Sequence, residues 1–191
     1  MFRTILKTAV LAGFFSFAIS GASPQEIIHA YAGTVSAVDA VSRTITVAAA
    51  DSSKEIFNDT ADPKSFALLN KKMRDGVVAV NTVREKGTYV IVYYFSNSNG
   101  HIAVGLRNLG PGPFIDQIGT VFKHGEHFIA IRRKSGEVQT FNVNSDTVAE
   151  TSIGAIGGLK FQPEKGNQVR VTATAANGSA DAQFIDGTIP D

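Results

Sequence analysis

The clearest hydrophobic pattern runs from Gly87 to Leu106, GTYVIVYYFSNSNGHIAVGL. Two apolar runs flank Asn99-Gly100, and an Asn-Gly pair between such runs predicts a β-hairpin with a type I′ turn. A second stretch of the same kind lies at Gly166 to Phe184, turned at Asn177-Gly178. Upstream of the first hairpin, Tyr31 to Val38 and Thr44 to Ala50 read as strands. In the second of these Ile45 and Val47 alternate with Thr44 and Thr46, the period of a half-buried strand. Lys54 to Asn58 reads as a short third strand and Val77 to Val83 as a possible extra one.

Between them the period changes. Asp62 followed by Pro63 is an N-cap with proline at the first helical position, and Gly76 suits the end. The spacing therefore predicts a helix with Phe66, Leu69 and Met73 on one face. The later half of the chain predicts strands at Ile118–Lys123, His127–Arg133, Glu137–Val143, Gln168–Thr174 and Ala180–Ile185. Its Glu150 to Gly158 segment is too glycine-rich for more than one helical turn.

The two halves repeat. Gly33-Thr34-Val35 returns as Gly119-Thr120-Val121, Phe57-Asn58 as Phe141-Asn142, Glu85-Lys86-Gly87 as Glu164-Lys165-Gly166, and Asn99-Gly100 as Asn177-Gly178. The separations fall steadily from 86 through 84 and 79 to 78 residues, as expected of one unit written twice with shorter loops in the second copy. Gly110-Pro111-Gly112-Pro113 lies between the copies and reads as a short, stiff link. The expected organisation is a leader at 1–22, one unit at 29–109, a linker at 110–113 and a second unit at 114–188.

Three strands, a helix or helical turn, and two more strands is the element order of an OB-fold, a five-stranded partly open barrel. The residues from Gly33 to Asp39, Thr44 to Val47 and Gly166 to Val171 resemble an uncharacterised family of exported bacterial OB-like domains that often occur in tandem. The resemblance implies a mainly β protein of two tandem five-stranded barrels. It carries no catalytic residue. A single β-sandwich of about ten strands is the alternative architecture.

Composition adds a compartment. Arg3 and Lys7 precede the apolar run Thr8 to Ile19, and Ser20-Gly21-Ala22 supplies small residues for cleavage after Ala22 or Ser20. This is the pattern of a secretory signal, and a lipid span needs about 20 apolar residues, more than this run has. The mature chain is expected to be periplasmic or secreted, with no membrane span. An uncleaved anchor is the alternative. The chain has no cysteine, which removes disulfides and thiolate chemistry. Without Arg3 and Lys7, 16 basic residues stand against 17 acidic ones, so no net field favours nucleic acid.

Candidate chemistry is sparse. On the fourth strand of the first unit Val90, Val92 and Tyr94 point one way and Ile91, Tyr93 and Phe95 the other, since side chains alternate. The matching outer face of the second unit is Arg170, Thr172 and Thr174, which suits water. An apolar outer strip is either covered within the chain or binds a protein partner or a second copy. Arg132-Arg133-Lys134 is a candidate ligand-binding run, at the end of a second strand where OB-folds often bind oligosaccharides or oligonucleotides. The loops at Asp39–Arg43 with Ser96–Gly100, and at Lys123–Glu126 with Ala176–Gly178, would frame the barrel mouths. His124, Glu126 and His127 are a weak metal candidate, lacking a further ligand in the pattern. No nucleophile motif, phosphate loop or carboxylate pair is present. The expectation is a non-catalytic binding or assembly protein without a cofactor.

Overall fold

A computed structural model of the chain describes residues 26–71, 73–83, 85–176 and 179–190. The leader expected at 1–22 and the turn expected at Asn177-Gly178 lie outside the described residues. The protein is mainly β, with thirteen strands among the described residues. The first sheet contains β1 (His29–Asp39), β2 (Thr44–Ala48), β3 (Lys54–Asn58), β4 (Val77–Val78), β5 (Tyr89–Asn97) and β6 (Gly100–Gly110). The second contains β7 (Phe114–Gly125), β8 (Phe128–Arg132), β9 (Val138–Asn142), β10 (Val148–Thr151), β11 (Gly154–Gly157), β12 (Gln168–Ala176) and β13 (Ser179–Asp186).

The first sheet runs β3-β2-β1-β5-β6-β4, and β3 meets β6 in parallel at Phe57–His101 and Asn58–Ile102. Five strands thus close into a barrel with the OB strand order. The second sheet runs β11-β10-β13-β12-β7-β8-β9, and β9 and β13 meet at one parallel bridge, Asn142–Asp181. Each unit has its own apolar centre. One is built on Val35, Ile45, Phe57, Val90 and Leu106, the other on Val121, Ile131, Phe141, Val169 and Ile185.

The recurring motifs have matching structural reasons. A Cβ on Gly33 would sit 2.3 Å from the Ala48 carbonyl oxygen, and one on Gly119 would sit 2.6 Å from that of Arg132. Only glycine permits the second strand to approach so closely. Just beyond, a bulge follows Val35 in β1 and Val121 in β7. There the turn before the fourth strand docks: Gly87 N–H donates to the Val35 carbonyl and Gly166 N–H to that of Val121, each at 2.9 Å.

Three local expectations are corrected. The segment from Asp62 is a 3₁₀ turn, Pro63–Leu68, rather than an α-helix reaching Gly76. Asp62 caps it as expected, accepting from Lys64 N–H at 2.8 Å. Side chains then replace the helical ladder: Asn70 Oδ1 accepts from Met73 N–H at 3.0 Å, and Arg74 donates to the carbonyls of Leu69 and Ala67. Such local bonds compete with helix. Leu69 and Met73 are still buried. In the second unit the corresponding stretch is the β10–β11 hairpin followed by one 3₁₀ turn, Gly158–Lys160. The hairpin of β5 and β6 pairs Asn97 with Gly100, with Ser98 and Asn99 as its loop. Gly100 has φ +97° and Asn99 stays negative, so the turn is not type I′; Asn97 Oδ1 fixes it by accepting from Asn99 N–H at 2.8 Å.

Candidate functional site

The two barrels share a third apolar cluster, outside both barrel centres. It contains Ile91, Tyr93 and Phe95 of β5 together with Val148 of β10 and Phe184 of β13. Leu69 and Met73 cover part of the same strip. Ile91 and Tyr93 are fully buried and Phe95 nearly so. The strip is therefore not a free surface for a partner or a second copy. The second barrel and the 62–76 segment occupy it, because folding buries apolar area wherever the same chain supplies a cover.

The outer face of β12 departs from expectation too. Arg170 and Thr172 are buried rather than solvated. Arg170 donates to Asp186 at 2.9 Å and approaches Asp51 of the β2–β3 turn at 3.4 Å. Hydrogen bonds from Ser53 hold the Asp51 carboxyl below the usual range, so it faces Arg170 ionised. Thr172 donates to Asp116 at 2.5 Å, and Tyr89 of the first barrel donates to the same carboxylate at 2.9 Å. Burial raises the pKa of the Tyr89 hydroxyl, which stays a donor. At the far side of the seam Glu150 accepts from Ala30 N–H at 2.7 Å and lies 2.6 Å from His29 Nδ1. Its carboxyl pKa is raised by burial, with His29 and the Ala30 N–H opposing.

Beside this seam lies a cavity of about 310 Å³, walled by the segment after the 3₁₀ turn, β6, and the loops flanking β10 and β11. Met73, Val148, Ile156 and Leu159 give it an apolar lining, and Lys71, Arg107 and Lys160 place three cations around it. Among the described residues no aspartate or glutamate lines it. Arg107 Nη1 donates to the Asp146 carbonyl at 2.5 Å, tying the two barrels together. Its Nε is buried with no hydrogen-bond partner among the described residues, as is the Tyr93 hydroxyl. The Arg107 cation partly offsets the rise that burial imposes on Tyr93.

The other sequence candidates do not converge. The Arg132 guanidinium lies over the Phe122 ring at 4.4 Å, with Lys165 ammonium at 5.7 Å from the same ring. Phe122 is on the surface, and cations occupy its vicinity instead of leaving a bare platform for stacking. Arg133 pairs with Glu137 at 3.0 Å and bonds Gln139, while Lys134 is exposed. Arg170 is not with them, being held in the seam. His124, Glu126 and His127 are all exposed at the β7–β8 turn. Only His127 and Glu126 approach, at 3.9 Å, and among the described residues no group of three or more His, Asp or Glu could hold a metal ion. At the mouth of the first barrel Asp39, Arg43 and Asp59 edge a second depression, where Arg43 faces Asp59 at 3.7 Å. The Asp39 carboxylate already accepts from Val41 and Ser42 N–H.

Sequence reasoning missed Lys71, Arg107 and Lys160. They lie in three different segments, Lys71 beside Lys72 and the other two singly, and only the docking of the two units brings them together. Strand order and closure define a mainly β protein, a closed five-strand barrel and a second sheet of seven strands, with a cleft between them. No family model matches the chain, and no curated protein matches it.

Proposed function

We propose that the chain works outside the cytoplasm, in the periplasm or secreted, as a non-catalytic binding protein whose ligand sits in the cleft between the barrels. The observation that carries this reading is an apolar cavity ringed by Lys71, Arg107 and Lys160 with no acidic side chain in its lining among the described residues. Small-molecule sites favour concave, mostly apolar pockets with a few convergent polar groups, often between domains. Assembly through Ile91, Tyr93 and Phe95 has lost its surface to the second barrel. The basic run at Arg132–Lys134 is spread among surface partners.

The test is a titration of isotope-labelled mature protein with mixtures of small soluble compounds, followed by amide shifts. Saturable shifts at Val148, Ile156 and Gly157 are expected for compounds that bind. Binding confined to the Asp39–Arg43 mouth, or to the Arg132–Lys134 surface, would contradict the reading.

A further inference from the structure

Resting on the cleft reading, we infer that its ligand is a small organic anion with one carboxylate-like head and a short, single apolar chain. The cavity decides the apolar part. At about 310 Å³ it is at the small end of ligand pockets, which run about 300–1,000 Å³. A two-chain lipid does not fit, whereas a short chain against Met73, Val148, Ile156 and Leu159 does.

Charge decides the head. Among the described residues none of Lys71, Arg107 and Lys160 has a carboxylate partner within 4.0 Å, whereas Arg133 has one and Arg170 has two. Arg107 is the inner cation, half-buried in the cavity wall. Nη1 is committed to the Asp146 carbonyl, and Nε remains without a partner. Nε is buried inside the seam, so Arg107 acts on an anion in the cavity through its charge rather than through a side-on grip by two parallel donors. Lys71 and Lys160 are exposed at the rim, where they draw an anion in by charge and hold it loosely.

The experiment titrates octanoate, octanol and octylammonium separately into isotope-labelled mature protein. Octanoate is expected to saturate with shifts at the cleft amides, and the other two to bind at least about tenfold more weakly, the worth of one charge-assisted hydrogen bond. Arg107→Gln is expected to weaken octanoate by at least about tenfold. Because Arg107 also ties the barrels together, the exposed pair Lys71→Gln with Lys160→Gln provides a second variant that leaves the fold alone; it should weaken octanoate several-fold and steepen nothing for octanol. If octanol moves the same amides with equal affinity, and the variants bind octanoate unchanged, the anion assignment fails while the cleft reading stands. If none of the three compounds moves the cleft amides, both fail.

Discussion

The fourth strands of the two barrels, β5 and β12, occupy equivalent places and bury their outer faces in the same seam by opposite means. β5 presents Ile91, Tyr93 and Phe95 to an apolar cluster with Val148 and Phe184. β12 presents Arg170 and Thr172, and every charge there meets a partner: Arg170 has Asp186 and Asp51, and Asp116 receives both Thr172 and Tyr89. Burying a polar group is costly only when it is left unpaired. Polarity on a strand face is therefore not a signal of water when the same fold brings complementary groups. The apolar half supplies stabilisation by area, and the polar half fixes which way the barrels meet.

Breaking the apolar half should have the largest effect. Phe184→Ala removes a buried aromatic from the centre of the seam and should cost about 4 kcal/mol, from the transfer of the ring and the cavity left behind; urea unfolding measures it. Arg170→Ala comes next, at about 3 kcal/mol, because it strands the Asp186 carboxylate in a buried setting. The loss should shrink when Asp186 is also made apolar, which a double-mutant cycle in the same assay checks. Tyr89→Phe should cost about 1 kcal/mol, since a satisfied hydroxyl is lost, whereas Tyr93→Phe should be neutral or slightly stabilising, since its hydroxyl has no partner. Equal losses for the two tyrosines would count against the assigned bonding.

The smallest effect concerns pH. Glu150 faces His29 and the Ala30 N–H across the seam, with Asp186 on its own barrel. Burial raises its folded pKa above the unfolded value, so the folded chain holds this proton more tightly. Its contribution is full below the unfolded pKa and is lost as pH rises through the raised one. The stability of wild type relative to Glu150→Gln should therefore increase as pH falls through that window. A flat difference, or one of opposite sign, would contradict the burial of the carboxyl.

Much of the fold could be read from the chain, because its signals are local. Gly33 and Gly119 recur where a second strand crowds the first, and Gly87 and Gly166 recur in the turn that docks on the bulge. The helix expected after Asp62 failed for a reason invisible to periodicity: Asn70 and Arg74 take over the backbone bonds that a helix would make for itself. Arg170 looked solvated because Asp51 lies 119 residues away, and no pattern in β12 announces it. The apolar strip of β5 was visible, but whether a partner or the chain itself covers it depends on the docking of Phe184 and Val148. The cleft is the extreme case. Its cations come from three segments that have no motif in common.

The two units form one body through this seam. Native-state hydrogen exchange of the protein, followed across low urea concentrations, is the decisive test. Amides in the middle of β5 and β12 should exchange only through the same global opening, with matching free energies and matching urea dependence. If one barrel opens at a clearly lower free energy while the other stays protected, the seam is not the structural centre of the molecule, and the cleft beside it loses its walls.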